Sequence, residues 1–216
     1  MRKIVVVGAT GTIGKAVADL LSFSPEIEII RVGNQYGEYN VNLRSQASIE
    51  DLFENIGIVD GVICAAGGTR FGSALETSIN DFIFSINNKL LSQIKLVQVA
   101  VRYIKPNGFI TLTSGSMSQT PWPDTAPAAM VNAAIEGFVR AAARDLGGGI
   151  RINAVSPAFI NITAKKMGLP TTIGTMSQTN AAVVYQISVE GNMTGQVIDA
   201  ANYGVVEKET EEISTW

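Results

Sequence analysis

The sequence has no histidine and only one cysteine, Cys64, among its 216 residues. The lack of histidine excludes a histidine-based catalytic triad and any histidine-ligated metal site, so we expect no bound metal. A single cysteine excludes a disulfide within the chain. Because Cys64 lies in an apolar run, we expect a small buried hydrophobic residue rather than a reactive thiol.

Charge is also scarce, since charged residues make up 16% of the chain, against about a quarter in most soluble proteins. The net charge is −3 and no long basic run occurs, which disfavours nucleic acids and anionic membranes as partners. No apolar run reaches the ~18 residues of a membrane span. Residues 1–3 lead straight into a strand-like segment and do not resemble a secretory signal. We therefore expect a cytoplasmic protein, and its low charge favours a homo-oligomer.

What the sequence does contain is an alternation of short β-branched runs with stretches of helical periodicity. The predicted strands cover residues 4–7, 27–32, 61–65, 109–113, 150–155 and 196–200. The predicted helices cover residues 13–21, 48–55, 79–104, 126–146 and 181–189. Apolar strands separated by helices predict an α/β fold, a doubly wound parallel sheet with helices on both faces. An acidic segment at 207–216 is predicted to be a tail outside this domain.

A glycine-rich turn follows the first predicted strand, where residues 8–14 read GATGTIG. In dinucleotide-binding folds the first glycine permits a sharp bend, the second lets backbone approach a diphosphate, and the third lets helix and strand pack closely. These roles would fall to Gly8, Gly11 and Gly14. The helix start behind them offers unpaired N–H groups and a positive dipole end to phosphate. The alternative is an ordinary tight turn between strand and helix.

Further motifs follow the turn in a fixed order. They are CAAGG at 64–68, NNK at 87–89, ITLTSG at 110–115, RINAVSPA at 151–158 and MTGQVID at 193–199. Together with the turn they resemble the short-chain dehydrogenase/reductase family over nearly the whole chain. The resemblance implies a single Rossmann-fold domain over residues 1–206 that binds NAD(P) and a small-molecule substrate.

The same resemblance implies which residues form the site. It places catalysis at Ser114, Asn87 and Asn132. It assigns to the cofactor Gly8, Thr10, Gly11, Thr12, Ile13, Arg31, Asn34, Asn42, Leu43, Ala65, Ala66, Gly67, Thr113, Asn132, Pro157, Ala158 and Ile160. It also implies a homodimer or homotetramer paired through the long helices, where small residues such as Ala133 permit close approach.

Asn132 is unusual, because it is the one polar side chain in the first half of an alanine-rich predicted helix. The family carries Tyr-x-x-x-Lys on this helix, with the tyrosine as proton donor and the lysine lowering its pKa and binding the nicotinamide ribose. By the resemblance, Ala128 stands at the tyrosine position and Asn132 at the lysine position. Asn132 could hydrogen-bond a ribose hydroxyl, but an amide carries no charge to activate a phenol. Otherwise it is a core asparagine satisfied by backbone or water.

The loss of the tyrosine leaves the proton source open. Asp124 precedes the helix and could be a general acid if burial raised its pKa, or else a solvated loop carboxylate. Trp122, between two prolines, could form an apolar wall for substrate or simply pack the loop.

The type of nucleotide depends on the residues after the second predicted strand. An acidic residue there favours NAD and an arginine favours NADP. No acid occurs before Glu38, and Arg31 lies nearby, although alternation along the strand could turn it away. Asn34 stands where NADP-binding relatives carry arginine, so we expect NADP, with NAD possible. Asn42 and Leu43 resemble the acidic-hydrophobic pair that contacts adenine in the family.

Two functions are compatible with these features. The first is an NAD(P)-dependent oxidoreductase that acts on a small carbonyl or alcohol with a non-standard active site. The second is a nucleotide-binding relative without dehydrogenase activity, either a regulator or a non-redox cyclase or isomerase.

Overall fold

The computed structural model of the protein describes residues 1–168 and 175–206. Its strands are β1 (Arg2–Val7), β2 (Ile27–Gly33), β3 (Tyr39–Asn40), β4 (Val59–Cys64), β5 (Ile104–Thr113), β6 (Arg151–Ser156), β7 (Phe159–Ile160), β8 (Thr175–Met176) and β9 (Val197–Asp199). Seven of them form one sheet in the order β3-β2-β1-β4-β5-β6-β9, and every pairing within it is parallel. The short β7 and β8 pair separately.

The helices connect these strands. They are α1 (Thr12–Leu21), α2 (Gln46–Ile56), α3 (Ile79–Ser85), α4 (Leu91–Ala100), α5 (Ala126–Asp145), α6 (Asn161–Met167) and α7 (Gln178–Glu190). Serine side chains cap three of the helix starts. The hydroxyls of Ser45, Ser78 and Ser177 accept from backbone amides in the first turns of α2, α3 and α7.

The predicted α/β fold is confirmed, and the apolar strands are buried because helices cover both faces of the sheet. One face packs against α2, α4 and α5 through residues such as Leu112 and Ile135. The opposite face packs against α1 and α7 through residues such as Ile4 and Tyr185. Cys64 is buried as predicted, and burial raises the pKa of its thiol to about 11.

The prediction of a single long helix over residues 79–104 is wrong, because the segment is divided into shorter elements. A π-helical turn (Ile86–Leu90) separates α3 from α4, and a 3₁₀ turn (Val101–Tyr103) follows α4. The bonds of a π turn span one residue more than those of an α-helix, and such turns occur frequently at functional sites. Side chains after the turn therefore face other directions than a continuous helix would give them.

Several short elements were not predicted. The strands β3, β7 and β8 have two residues each, too few to show a periodicity, and the helix α6 spans only seven residues. The acidic tail predicted at 207–216 lies outside the described residues.

The order of the strands reverses between β1 and β4, so their carboxyl ends meet at a switch point of the sheet. In open α/β sheets, ligands bind in the crevice at such a point. Within residues 1–168 and 175–206, no helix has both the length and the apolar character that crossing a bilayer requires.

Candidate active site

The groove at the switch point begins at the turn between β1 and α1. Gly8 has a φ of 88°, which glycine adopts without strain. Gly14 lies directly against the carbonyl group of Gly8, so the helix begins close to the strand. No side chain caps α1 at Gly11, and no acidic residue occupies its first turn. The first amides of α1 therefore remain available to an anionic ligand.

One half of the groove, about 570 Å³ in volume, lies between this turn and the ends of β2 and β3. Its lining includes the predicted residues Gly8, Thr10, Gly11, Asn34, Asn42, Leu43, Ala65, Ala66 and Gly67. It also includes Arg44, which the sequence analysis did not select. Arg44 follows an Asx turn in which the Asn42 side-chain oxygen accepts from the Arg44 amide at 3.0 Å.

The structure does not bring Arg31 into this lining. The Arg31 guanidinium instead pairs with the Asp19 carboxylate at 2.9 Å, because the alternation of β2 turns the side chain towards α1. Thr12 begins α1 and lines a separate hollow next to α7. Thr12 is not among the residues that line the groove.

The other half of the groove is a cavity of about 310 Å³ that shares Ala65, Ala66 and Gly67 with the first. Its lining includes the predicted residues Ile13, Thr113, Ser114, Asn132, Pro157, Ala158 and Ile160. Parallel strand ends and the face of α5 bring these segments together. The structure thus gathers most of the predicted site residues along one continuous groove.

Ser114 lies directly after β5, at the floor of this cavity, and is 2% exposed. Its hydroxyl donates a 3.3 Å hydrogen bond to the Val155 carbonyl. That length exceeds the usual range for a hydroxyl donor, so the bond is weak. The hydroxyl can therefore exchange it for a bond to a ligand oxygen.

Asn132 is buried against the same floor, where it binds a lysine. The Lys89 ammonium donates to Asn132 Oδ1 at 2.7 Å and to the Ser114 carbonyl at 2.7 Å. The Asn132 amide nitrogen donates a longer bond, 3.4 Å, to the Gly115 carbonyl. The polar residue in the alanine-rich helix is thus satisfied by a cation, a partner that the sequence analysis did not consider.

Lys89 extends from the π turn and is partly buried, with its ammonium against Asn132 and the Ser114 carbonyl. Loss of hydration lowers the pKa of Lys89 to about 8. Among the described residues that line this cavity, Lys89 is the only one with an ionisable side chain. A signal was present in the sequence, because Lys89 lies in the NNK motif of a chain that has few charges.

Asn87, predicted as catalytic, is not brought to the cavity. It is exposed on the outer side of the π turn, and its backbone carbonyl accepts from the Ser92 hydroxyl at 2.9 Å. Residues two apart on a helix point in nearly opposite directions, so Lys89 faces inwards where Asn87 faces outwards.

Two further residues of α5 complete this side of the site. Ala128 is 2% exposed and lines the cavity, one helical turn before Asn132. Glu136, one turn after Asn132, is also buried. Its carboxylate accepts from the Ser118 hydroxyl and from the Gln119 amide, and thereby holds the loop after β5 against the helix.

A buried tyrosine lies behind the cavity but does not reach it. The Tyr185 hydroxyl bonds to the Thr113 hydroxyl, which in turn donates to the Cys64 carbonyl. Burial raises the pKa of Tyr185 well above its usual range. Tyr185 therefore supports Thr113 and does not line the cavity as an acid.

Aromatic side chains from three segments form the outer wall. Phe159 contacts Trp122 edge to face with ring centroids 5.2 Å apart, and Phe71 in the same manner at 6.1 Å. Phe71 and Phe159 line the cavity, and Trp122 packs behind Phe159. Asp124 has a φ of 63° and its carbonyl accepts from the Gly72 amide, but it does not line the cavity.

Comparison with known proteins identifies the family of the chain. Residues 28–201 match a family model described as enoyl-(acyl carrier protein) reductase. The chain belongs to the short-chain dehydrogenase/reductase family. It is 31% identical over 136 residues to the hydroxynaphthalene reductase arp2 of Aspergillus fumigatus, a match that covers 60% of this chain and 49% of that protein. The chain thus spans about half the length of this curated relative.

Solved structures resemble the fold over more of the chain than the curated relative does. The protein lin1944 from Listeria innocua is 32% identical with a TM-score of 0.87, covering 92% of this chain and 99% of that one. A small-chain dehydrogenase in complex with NADPH is 26% identical with a TM-score of 0.81, covering 92% and 95%. The family is one of oxidoreductases, and NADPH is bound in the second of these two solved structures.

Proposed function

We propose that the protein is an NAD(P)-dependent oxidoreductase that acts on a small carbonyl or alcohol through a non-standard active site. The observation that carries the proposal is the continuous groove, which runs from the uncapped start of α1 to Ser114 and the aromatic wall. The test is to incubate the purified protein with NADPH and a panel of carbonyl compounds. Oxidation of NADPH supports the proposal, whereas cofactor binding without turnover of any compound contradicts it.

The residues present fit a nicotinamide dinucleotide. The free amides at the start of α1 would bind its diphosphate. Asn34, Asn42 and Arg44 would bind its adenosine half, and Asn132 and Thr113 would lie near its nicotinamide half. When bound, the cofactor supplies a hydride to a carbonyl carbon or takes one from an alcohol.

Ser114 would orient the substrate, because its weakly held hydroxyl can donate to a carbonyl oxygen. Ala128 provides no hydroxyl at the position where the family has its tyrosine. The side chains of Phe71 and Phe159 would exclude water from the reacting atoms.

We expect a preference for NADP over NAD, and the charge of the groove supports it. Arg44 lines the adenosine half, and no acidic residue lines it within the described part of the chain. Arg44→Gln should weaken NADPH binding roughly tenfold to a hundredfold by removing a charged hydrogen bond. It should change NADH binding little, as measured by calorimetry.

The matched control is Arg31→Gln, which removes an arginine paired with Asp19 outside the groove lining. It should leave the affinity for NADPH unchanged. Equal losses in both variants, or none in either, would contradict the assignment of Arg44.

We infer that the substrate carries an apolar ring, because Phe71, Trp122 and Phe159 are in edge-to-face contact at the mouth of the cavity. Phe159→Ala should lower kcat/KM for cyclic or aryl ketones roughly tenfold, since aromatic contacts supply about 1 kcal/mol beyond burial. A short aliphatic ketone should be affected less. Phe23→Ala, at an 85% exposed phenylalanine, is the control. An equal loss for both ketone classes would rule out a ring-binding wall.

A second candidate function is supported by Ala128, which provides no proton donor where the family has its tyrosine. It is nucleotide binding without dehydrogenase activity, as a regulator or a non-redox cyclase or isomerase. Tight NADPH binding combined with a complete lack of turnover across the carbonyl panel would favour this function over the first.

We also propose a homodimer or homotetramer. Apolar side chains are exposed along α3 and next to it, namely Leu75, Ile79, Ile83 and Leu91, and α5 exposes Ala133 and Ala141. Pairing of these faces would remove apolar surface from water. Sedimentation velocity should show an oligomer that Ile79→Glu with Ile83→Glu dissociates. A monomeric wild type would refute this proposal.

A further inference from the structure

Lys89 occupies a position that suits a chemical role. Its ammonium is fixed by two acceptors, Asn132 Oδ1 and the Ser114 carbonyl oxygen, each at 2.7 Å. An ammonium has three N–H donors, so one remains for a ligand. Lys89 lines the same cavity as Ser114 and Ala128. The remaining donor is therefore available next to the serine that would orient a carbonyl oxygen.

Other proton sources in the described residues are less well placed. Tyr185 is fully buried behind Thr113, and Asp124 does not line the cavity. The buried carboxylate of Glu136 is turned to Ser118 and Gln119. Lys89 is the ionisable side chain that the cavity lining contains.

We propose that Lys89 is a catalytic residue, the proton donor in carbonyl reduction, acting in place of the tyrosine that this chain lacks. This inference rests on the proposed oxidoreductase function. As the carbonyl carbon gains a hydride, the π electrons of the C=O bond move to oxygen. The Nζ–H bond of Lys89 breaks, an O–H bond forms, and the neutral amine is reprotonated by solvent. In alcohol oxidation the amine accepts the proton.

The surroundings of Lys89 suit this exchange, because a proton donor works best when its pKa is close to the working pH. Burial lowers the pKa of Lys89 to about 8. The titratable group that faces it is the Cys64 thiol of β4, whose pKa is raised to about 11, so this neighbour is neutral. Reduction requires the protonated form, so kcat for reduction should fall as the pH rises through about 8.

Asn132 then acts as a positioning residue. Its amide oxygen and the Ser114 carbonyl hold the ammonium at the floor of the cavity without neutralising it. A carboxylate at position 132 would instead form an ion pair and raise the pKa of Lys89. Asn132→Asp should therefore shift the pH profile upwards, which a purely structural asparagine would not do.

The first measurement uses the protein without cofactor or substrate. Carbon-13 NMR of the protein labelled at lysine should show one lysine that titrates near pH 8, and the signal should be absent from Lys89→Arg. If all lysines titrate above pH 10, the proposal is overturned. This readout is independent of any activity.

The second measurement compares variants with NADPH and a ketone that the wild type reduces. Lys89→Arg keeps the charge but is a poor acid, because arginine does not deprotonate in proteins. It should bind NADPH normally in calorimetry yet lose kcat by roughly a hundredfold or more. The control is Lys105→Met, at a lysine paired with Asp60 on the surface, which should keep full activity.

A third variant tests whether Lys89→Arg loses activity because the guanidinium is misplaced and not because it is a poor acid. Lys89→Ala should regain turnover when ethylamine is added, and methanol of equal concentration should not restore it. Wild-type turnover that survives in Lys89→Arg would overturn the proton role while leaving the proposed function intact. A wild type that binds NADPH but reduces no carbonyl would overturn the proposed function itself, and Lys89 would then have no catalytic role.

Discussion

Gly14→Ala is expected to abolish dinucleotide binding and to lower the free energy of unfolding by roughly 3 kcal/mol or more. A β-carbon on residue 14 would overlap the carbonyl oxygen of Gly8 and lie 2.6 Å from its carbonyl carbon. Both obstacles are backbone atoms of the turn, so neither can move without displacing α1 from β1. Urea denaturation and calorimetry with NADPH measure the two effects.

Two other glycines provide the controls for Gly14. A β-carbon on Gly137 meets nothing within 4 Å, so Gly137→Ala should stabilise α5 by up to about 1 kcal/mol. A β-carbon on Gly11 would lie 3.3 Å from the Gly8 carbonyl oxygen, a contact that a small shift relieves. Gly11→Ala should therefore keep its stability but lose nucleotide affinity, because the backbone approaches phosphate there. A Gly14→Ala protein as stable as the wild type would contradict the packing described for this turn.

Restoring the family's lysine on α5 should also have a large effect on stability. Asn132→Lys should destabilise the protein by roughly 3–5 kcal/mol, because it brings a second ammonium against Lys89 with no counter-charge. The wild-type distance from Lys89 Nζ to Asn132 Oδ1 is 2.7 Å, so two cations cannot share the space. The exchange variant, Lys89→Asn with Asn132→Lys, should recover most of the loss.

A double-mutant cycle, with stability measured by urea denaturation, distinguishes charge repulsion against Lys89 from poor packing of a longer side chain at position 132. Asn132→Leu removes the oxygen that accepts from Lys89, together with the longer bond to the Gly115 carbonyl, and should cost about 2 kcal/mol, the value of a hydrogen bond to a charged group. If Asn132→Lys is as stable as the wild type, then the Lys89–Asn132 pair is not the compact arrangement described. If the exchange variant recovers nothing, the loss comes from the shape of the side chain and not from its charge.

Much of the fold could be predicted because its signals are local. Apolar runs such as residues 4–7 and 150–155 are long enough to identify buried parallel strands, and the glycine turn marks the first helix start. The switch point follows from that order of elements. The same turn led directly to Gly8, Gly11 and their neighbours, because backbone geometry there depends on the glycines themselves.

The site was harder to predict where the direction of a side chain determines whether the residue lines the groove. Arg31 and Arg44 both follow the glycine turn along the chain, yet the alternation of β2 directs Arg31 to Asp19, whereas Arg44 lines the groove. Asn87 and Lys89 are two residues apart, and the π turn determines which faces the cavity. Neither an alternation phase nor a π turn can be read from residue types alone. The family pattern predicted a catalytic role for Asn87 and none for Lys89, two residues further along the chain.

We expect the groove to bind a nicotinamide dinucleotide through the free amides at the start of α1. The most direct test is calorimetry of the wild type and Gly11→Ala with NADPH, NADP⁺, NADH and NAD⁺. We expect heat of binding in the wild type, strongest for the 2′-phosphorylated forms, and a weakened response in Gly11→Ala. No heat with any of the four nucleotides, or equal binding by wild type and variant, would contradict the claim.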